Sequence, residues 1–169
     1  MSIAQGAVNM FRRVLLCFDG SKEGRRALQR GAELTVLVKA QVHVLLIIPN
    51  AVQNATLLAR ATGHDACLVD VEGDLRRLLN ESVDSLRACG LVAKAHLARG
   101  KMIDEIVAHS SKLGIDLIVL GHYPRESGGF WWSGPKRASL ADRVKCCVLI
   151  AEDSPVRDWR VFPPTVADR

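Results

Sequence analysis

RVLLCFDGS, residues Arg13–Ser21, opens an alternation that predicts the architecture of this chain. Its aliphatic part, up to Asp19, has the length and composition of a buried strand, and the glycine and serine after it favour a turn. Apolar residues at helical spacing follow as far as Val38, and Val42–Ile48, VHVLLII, is a second aliphatic strand. A strand, a helix and another strand in this order predict a βαβ unit with parallel strands.

The same alternation continues to the carboxyl end of the chain. Apolar residues at helical spacing predict helices at Glu72–Cys89, Met102–Leu113 and, more briefly, Ser139–Lys145. Three further strands are predicted at Leu91–Ala98, Asp116–Leu120 and Cys147–Ala151. With right-handed crossovers, these elements predict an α/β fold: an open, doubly wound, Rossmann-like parallel sheet of five strands in the order 3-2-1-4-5, with helices on both faces.

The length of the chain fits one domain. A sequence of 169 residues can bury one sizeable core. We expect the domain to span residues 12–152, preceded by an extension at residues 1–11 and followed by a tail at residues 153–169. The tail shows no periodicity, which leaves two alternatives open: a disordered segment, or one anchored through Trp159 and Phe162.

Composition argues against several classes of protein. The net charge of +5 is mild, its basic residues are spread along the chain, and no nucleic-acid-binding motif accompanies them. No apolar run approaches the roughly 20 residues that span a bilayer, and the first ten residues lack a signal-peptide pattern. We therefore expect a cytoplasmic protein that binds neither nucleic acid nor membrane.

The cysteines and histidines show no metal-ligand spacing. The five cysteines and five histidines include no Cys-x-x-Cys pair and no Cys/His cluster, so no metal site is expected. Cys17 and Cys146-Cys147 lie in apolar segments, where a thiol usually packs as a small hydrophobic group. His43 and His96 lie in predicted strands, and we interpret them as structural residues.

Ligands of open α/β sheets bind beyond the carboxyl ends of the strands, where the strand order reverses. Three places meet this condition: Asp19–Ser21, Ile47–Pro49 and the loop after Leu120. A binding site at this edge of the sheet is therefore the first hypothesis for function.

The loop after the fourth predicted strand is rich in glycine. Gly121 and the later glycines allow backbone N–H groups to approach an anion, and the helix that opens near Ser139 presents unpaired donors. Arg125 adds positive charge, while His122, at the mouth of the expected pocket, faces either a ligand or solvent. The composition fits a phosphate-binding loop and, equally well, a flexible connection.

Four segments together resemble the universal stress protein family. They are RVLLCFDGSKEGRRAL, VHVLLIIP, DLIVLGH and ASLADRVKCCVLIA, and they occur in the family's order between Arg12 and Ala151. The resemblance implies the doubly wound fold and an adenine-nucleotide site, with ATP or AMP bound with or without Mg²⁺. It also implies a homodimer through antiparallel pairing of the last strand, Cys147–Ala151.

The resemblance assigns roles to particular residues. In nucleotide-binding members, an acidic residue ending the first strand and a backbone group on the second strand hold the adenine, which implies Asp19 and Ile47. The loop after the fourth strand holds the phosphates, and a glycine after the third strand approaches the ligand. Gly100 matches that glycine, with a simple turn as the alternative. The complete implied set of nucleotide-binding residues is Asp19, Gly20, Ser21, Ile47, Gly100, Gly121, His122, Arg125, Ala138, Ser139 and Leu140.

The phosphate loop departs from the family pattern Gly-x2-Gly-x9-Gly-Ser/Thr. Pro124, which has no N–H to donate, stands at the second glycine position. Strict spacing places the last glycine at Gly134, followed by a proline instead of a hydroxyl residue. Alignment from the carboxyl side instead places Ala138-Ser139 at the final Gly-Ser/Thr position, and the loop then has four residues more than the family pattern. We prefer this alignment because it keeps LADRV aligned with the start of the family's following helix.

Phe130–Trp132, FWW, is the most unusual segment of this loop. Its aromatic rings could cap the pocket or stack on the base, anchor a protein partner, or fold back over the sheet. Binding to a partner and self-packing are together favoured over base stacking, because exposed tryptophan is enriched at protein interfaces.

Two hypotheses for function follow. The first is a stress-response regulatory protein that binds an adenine nucleotide and acts through a dimer. The second is a nucleotide-independent dimeric interaction module with a degenerate phosphate loop. The chain lacks the Gly-x-Ser-x-Gly and Gly-x4-Gly-Lys-Ser/Thr motifs, so catalysis beyond slow ATP hydrolysis is disfavoured.

Overall fold

The computed structural model describes residues 10–18, 22–50, 71–122 and 139–152. Within these ranges the chain alternates between strands and helices, as predicted. The elements are β1 (Arg13–Phe18), α1 (Lys22–Leu37), β2 (Gln41–Pro49), α2 (Val71–Ala88), β3 (Ala93–Gly100), α3 (Met102–Leu113), β4 (Leu117–His122) and β5 (Cys147–Glu152).

The five strands form one parallel sheet in the order β3-β2-β1-β4-β5. The predicted fold class and strand order are therefore confirmed. Asp116 aligns the first strand with the fourth, because its carboxylate accepts the backbone N–H groups of Arg12 and Arg13 at 2.8 and 3.0 Å.

Alternate residues of the sheet enter two separate cores. Val14, Leu16 and Phe18 of β1 pack on the face that α1 and α2 cover, whereas Leu15 and Cys17 pack on the face that α3 covers. Because both faces are covered, the central strands are apolar without interruption, which is typical of parallel sheets. This explains why β1 and β2 were the clearest elements in the sequence.

The structure moves the boundaries of the third strand. The predicted strand Leu91–Ala98 begins instead at Ala93 and continues to Gly100. Leu91 lies in the turn that closes α2, because its N–H bonds to the carbonyl of Leu86 at 3.2 Å and its side chain is buried. Gly90 between them has a φ of +81°, the left-handed conformation that ends many helices and that glycine adopts without strain.

The last predicted helix is shorter than expected. Of Ser139–Lys145, only residues 139–141 are helical, and the N–H groups of Arg143 and Val144 both bond to the carbonyl of Leu140 in a closing turn. The chain must turn there because β5 begins at Cys147. Burial of Leu140 in the α3-side core fixes the position of that turn.

Candidate functional site

The carboxyl edge of the sheet has the topology of a binding crevice. After β1 the chain passes to α1, whose Leu28 and Ala32 pack on one face of the sheet. After β4 it passes to the segment that contains Leu140, which packs on the opposite face. Neighbouring strands whose connections leave to opposite faces open a crevice between their ends, so the switch point lies between β1 and β4.

β2 lies beside β1 at this edge. Phe18, the last described residue of β1, lies opposite Leu46, and β2 continues to Pro49. Ile47, predicted to present its backbone to a base, therefore lies one residue past the position opposite Phe18, near the carboxyl end of β2. Its side chain is 1% exposed and packs in the α3-side core, so only its main chain is available to a ligand.

Gly100 ends β3 in a conformation that requires glycine. Its φ is +148°, and a Cβ atom there would lie 2.8 Å from the Glu105 Oε1 atom of α3. The φ, which residues other than glycine rarely adopt, comes from the turn between β3 and α3, whereas the Glu105 carboxylate is the flexible end of a side chain and could move away. The structure thus gives a local reason for this glycine, and contact with a ligand is not needed to explain it.

β4 includes the first two residues of the predicted phosphate loop. Gly121 and His122 continue the strand and pair with Ala151 and Glu152 of β5. The predicted strand Asp116–Leu120 is therefore shifted to Leu117–His122. The backbone of Gly121 lies near the carboxyl end of β4, next to the switch point. Its role in binding phosphate stays a prediction.

Two predicted site residues, Ser139 and Leu140, follow the glycine-rich loop and differ in burial. Leu140 is fully buried against the α3-side core, so its side chain packs and only its backbone could meet a ligand. Ser139 is exposed. Five predicted site residues lie outside the described part of the chain: Asp19, Gly20, Ser21, Arg125 and Ala138. Pro124 and Phe130–Trp132 lie outside it as well.

Ion pairs that the sequence analysis missed surround this edge. Glu72, in the first turn of α2, pairs with Arg99 of β3 and with Arg76 at 3.0 Å. Hydrogen bonds from Arg99 and then Arg76 lower the pKa of the Glu72 carboxyl. Arg143 pairs with Asp104 of α3 at 2.8 Å. These guanidinium groups already have carboxylate partners, so a bound anion would have to compete with Glu72 or Asp104 for them.

A row of three histidines lies beneath α3, on the same face of the sheet as Ile47. The Nδ1 atom of His43 lies 2.9 Å from Nε2 of His96, and the rings stack with centroids 5.1 Å apart. The His96 ring meets that of His109 edge-on at 6.0 Å. Nδ1 of His109 donates to the backbone carbonyl of Glu105 at 2.8 Å, since a carbonyl can only accept.

The innermost histidine of this row carries an unsatisfied atom. His43 is 4% exposed, and its Nε2 atom has no hydrogen-bond partner within the described structure. Burial, followed by the nearby His96, lowers the pKa of His43 to about 4, so its ring is neutral near pH 7. His43 was expected to be a fully hydrogen-bonded structural residue, and its Nε2 atom departs from that expectation. The pairing of His43 with His96 was invisible in the sequence because 53 residues separate them.

Metal-binding clusters and membrane-spanning helices are both absent from the described ranges. These ranges contain no group of three or more His, Cys, Asp or Glu side chains arranged to hold a metal ion. Nor does any helix in the same ranges have both the length and the apolar character needed to cross a bilayer.

Comparison with known proteins identifies a family match over most of the chain. The model of the Universal stress protein family matches residues 10–152. By sequence, no curated protein matches this chain.

Solved structures share the fold at low sequence identity. Universal stress protein UspA from Lactobacillus plantarum superposes with a TM-score of 0.65 at 16% identity, covering 83% of this chain and 97% of that one. A universal stress protein in complex with cAMP has a TM-score of 0.57 at 23% identity, with coverages of 85% and 98%. The universal stress protein from Archaeoglobus fulgidus in complex with dAMP has a TM-score of 0.56 at 16% identity, with coverages of 84% and 98%.

Proposed function

Because the chain belongs to the universal stress protein family, we propose that it is a stress-response regulatory protein of the cytoplasm that binds ATP or AMP. The nucleotide binds at the carboxyl edge of the sheet, and the protein acts as a homodimer. The observation that carries this proposal is the switch point between β1 and β4, where the two connections leave to opposite faces. Proteins of the same fold in complex with cAMP and dAMP support the choice of an adenine nucleotide.

The adenine lies between the ends of β1 and β2 in this proposal. Ile47 lies one residue past the position opposite Phe18, so its backbone is close to the carboxyl edge of the sheet on the β2 side of β1. Asp19, which directly follows β1 in sequence, supplies the carboxylate that accepts a hydrogen bond from the base.

The phosphates lie near the end of β4. Gly121 places a residue without a side chain there, and the loop that follows returns to Ser139 and Leu140. Arg125 provides the positive charge, because Arg99 and Arg143 are already paired with carboxylates. His122, Gly20, Ser21, Gly100 and Ala138 complete the proposed set.

Calorimetric titration with ATP and AMP, each with and without Mg²⁺, tests the proposal. We expect micromolar binding by the unaltered protein and its loss in Asp19→Ala, because the carboxylate contact to the base is removed. Asp84→Ala is the matched control, since it removes an exposed carboxylate from α2 that pairs only with Arg87 in the described structure. Absence of heat up to millimolar nucleotide would contradict nucleotide binding.

The homodimer is proposed to form through β5. Within the described sheet this strand pairs with β4 alone, and Cys147 and Leu149 are exposed on it. An apolar edge of this kind is favourable for pairing with a second copy. We expect Leu149→Lys to shift the protein from dimer to monomer in sedimentation equilibrium, whereas Val92→Lys, at an exposed position before β3, leaves the dimer intact.

The departures in the phosphate loop favour a second candidate function. Pro124 and Ala138 replace motif glycines, and Phe130–Trp132 adds three aromatic residues to the same loop. A nucleotide-independent dimeric interaction module would use these aromatic residues as the anchor for a protein partner. Failure of all four titrations, with the dimer retained, would favour this candidate over the first.

A further inference from the structure

The hydrogen bond between His43 and His96 fixes where a proton can be added to the histidine row. Nδ1 of His43 and Nε2 of His96 lie 2.9 Å apart, which leaves room for a single proton between them. Each neutral ring carries one proton, so the pair has two, and one of them lies in this bond. The other occupies one of the two outer nitrogens, Nε2 of His43 or Nδ1 of His96.

A further proton on this pair must occupy the buried outer nitrogen. While the bond between the rings lasts, an added proton leaves hydrogen on both outer nitrogens, whichever ring carries the charge. Nε2 of His43 is buried, and within the described structure it has no hydrogen-bond partner. A buried N–H of a charged ring without an acceptor is strongly unfavourable. The closed row therefore resists protonation through its geometry.

The charged groups around the row add to this resistance. Arg13 of β1 and Lys94 of β3 lie near His43, and Lys94 and Lys112 lie near His96. Burial, followed by these neighbouring groups, lowers the pKa of both rings.

A carboxylate meets the row at its outer end. Among the described residues this is Glu105 of α3, whose Oε2 atom lies 3.8 Å from Nδ1 of His109. The outer ring, His109, therefore has an anion beside it, whereas the charged side chains near the His43–His96 pair are cations. An added charge on the buried pair has no compensating carboxylate there.

α3, which lies over the row, is held to the sheet by few buried side chains. Its buried residues are Ile106 and Ser110, and the Ser110 hydroxyl donates to the carbonyl of Val107 in the same helix at 2.9 Å. On the other face of the sheet, α2 buries three large apolar side chains. Elements with few buried apolar contacts open at a lower free energy than the whole molecule unfolds. We therefore expect α3 to separate from the sheet more readily than α2.

We propose that the His43–His96–His109 row is an acid-sensitive switch that controls the contact between α3 and the sheet. Near neutral pH the uncharged pair remains closed beneath the helix. Acid favours the state in which α3 has moved away, because water then accepts the hydrogen of His43 Nε2 and hydrates the added charge. The switch is independent of nucleotide binding, since none of the three rings belongs to the proposed nucleotide site.

Proton linkage gives the size of the response. His43 has a pKa of about 4 beneath α3 and its ordinary value of 6.5 once water reaches the ring, so the open state binds the proton more readily. The contribution that keeps α3 closed is complete above pH 6.5 and is lost as the pH falls towards 4. Between pH 7.5 and pH 5, His43 alone should raise the equilibrium constant for opening about 30-fold.

Hydrogen exchange of the full chain, followed by NMR at pH 7.5 and pH 5, measures this opening. Protection factors, which are corrected for the intrinsic effect of pH on exchange, should be about tenfold lower in α3 than in α2 at both pH values. Those of α3 should fall about 30-fold on acidification, and in His43→Gln the fall should shrink to about fivefold or less, because glutamine does not titrate. Equal protection of α3 and α2 would mean that the chain opens only as a whole, and would overturn the proposal.

Glu81→Gln is the matched control for His43→Gln. It removes a titrating side chain that is exposed on α2, on the face of the sheet opposite the row. This variant should keep the full acid response of α3. A response reduced as much as in His43→Gln would assign it to the charge of the whole molecule, and would overturn the role of the row.

Nitrogen-15 NMR of the imidazole rings tests the geometry in the unaltered protein. At pH 7.5 we expect a scalar coupling across the hydrogen bond between His43 Nδ1 and His96 Nε2. We also expect a bare Nε2 on His43, because this tautomer avoids a buried N–H without an acceptor. A His43 ring that is predominantly protonated on both nitrogens at pH 5, with the coupling to His96 retained, would show that the closed row accepts the proton. That result would overturn the switch.

Discussion

Acidification should destabilise this protein through His43. Burial and the neighbouring His96, Lys94 and Arg13 lower the pKa of His43 from 6.5 to about 4 in the folded state. The unfolded chain therefore binds this proton more readily. The contribution to stability is complete above pH 6.5 and is lost as pH falls towards 4. At 1.36 kcal/mol per pKa unit, the loss approaches about 3 kcal/mol at low pH and is about 2 kcal/mol at pH 5.

The assay is urea denaturation at pH 7.5 and pH 5, for the unaltered protein and for His43→Gln. Glutamine keeps a polar group beside His96 but does not titrate, so this variant should lose about 2 kcal/mol less than the unaltered protein between the two pH values. Carboxylates such as Glu72 titrate in both proteins, so their effect cancels in the comparison. The reasoning would be refuted if the unaltered protein and His43→Gln lost equal unfolding free energy between pH 7.5 and pH 5. An NMR titration midpoint for His43 near 6.5 would refute it as well.

Three further predictions concern packing and are checked by urea denaturation at pH 7.5. Gly31→Ala should lower the free energy of unfolding by about 1–2 kcal/mol, despite its gain in helix propensity, because the new Cβ would lie 2.8 Å from Val119 Cγ1. The double variant with Val119→Ala should lose less unfolding free energy than the sum of the losses in the two single variants. Leu140→Ala should cost about 2–5 kcal/mol through the cavity it leaves, and an unchanged midpoint would exclude its role as a core anchor. Asp116→Ala should cost about 1–3 kcal/mol, because two backbone donors lose their acceptor; the exposed Asp142→Ala should stay within about 0.5 kcal/mol.

The candidate site was predictable in its location and less so in its details. The rule for open sheets placed it at the carboxyl edge, and the structure gives the required switch point there. The roles of single residues depended on neighbours that are distant in sequence. Gly100 has a φ of +148° in the turn before α3, which favours glycine there, and the Leu140 side chain is buried in the core. The ion pair of Glu72 with Arg99 crosses 27 residues, and neither side chain had a local signal.

The order and type of the elements were determined by the sequence itself. Strand and helix periodicity is a local property, visible in any window of ten or so residues, and parallel strands buried on both faces give continuous aliphatic runs. Strand boundaries were less exact, as at Leu91, because packing against α2 decides where pairing with β2 begins.

Only the tertiary structure decided which distant side chains meet. It brought His43, His96 and His109 into one row and set Gly31 against Val119. Such contacts depend on how the helices lie across the sheet, and that placement results from the packing of the whole core. Periodicity specifies which face of an element is buried, but it does not specify the residue that the face will touch.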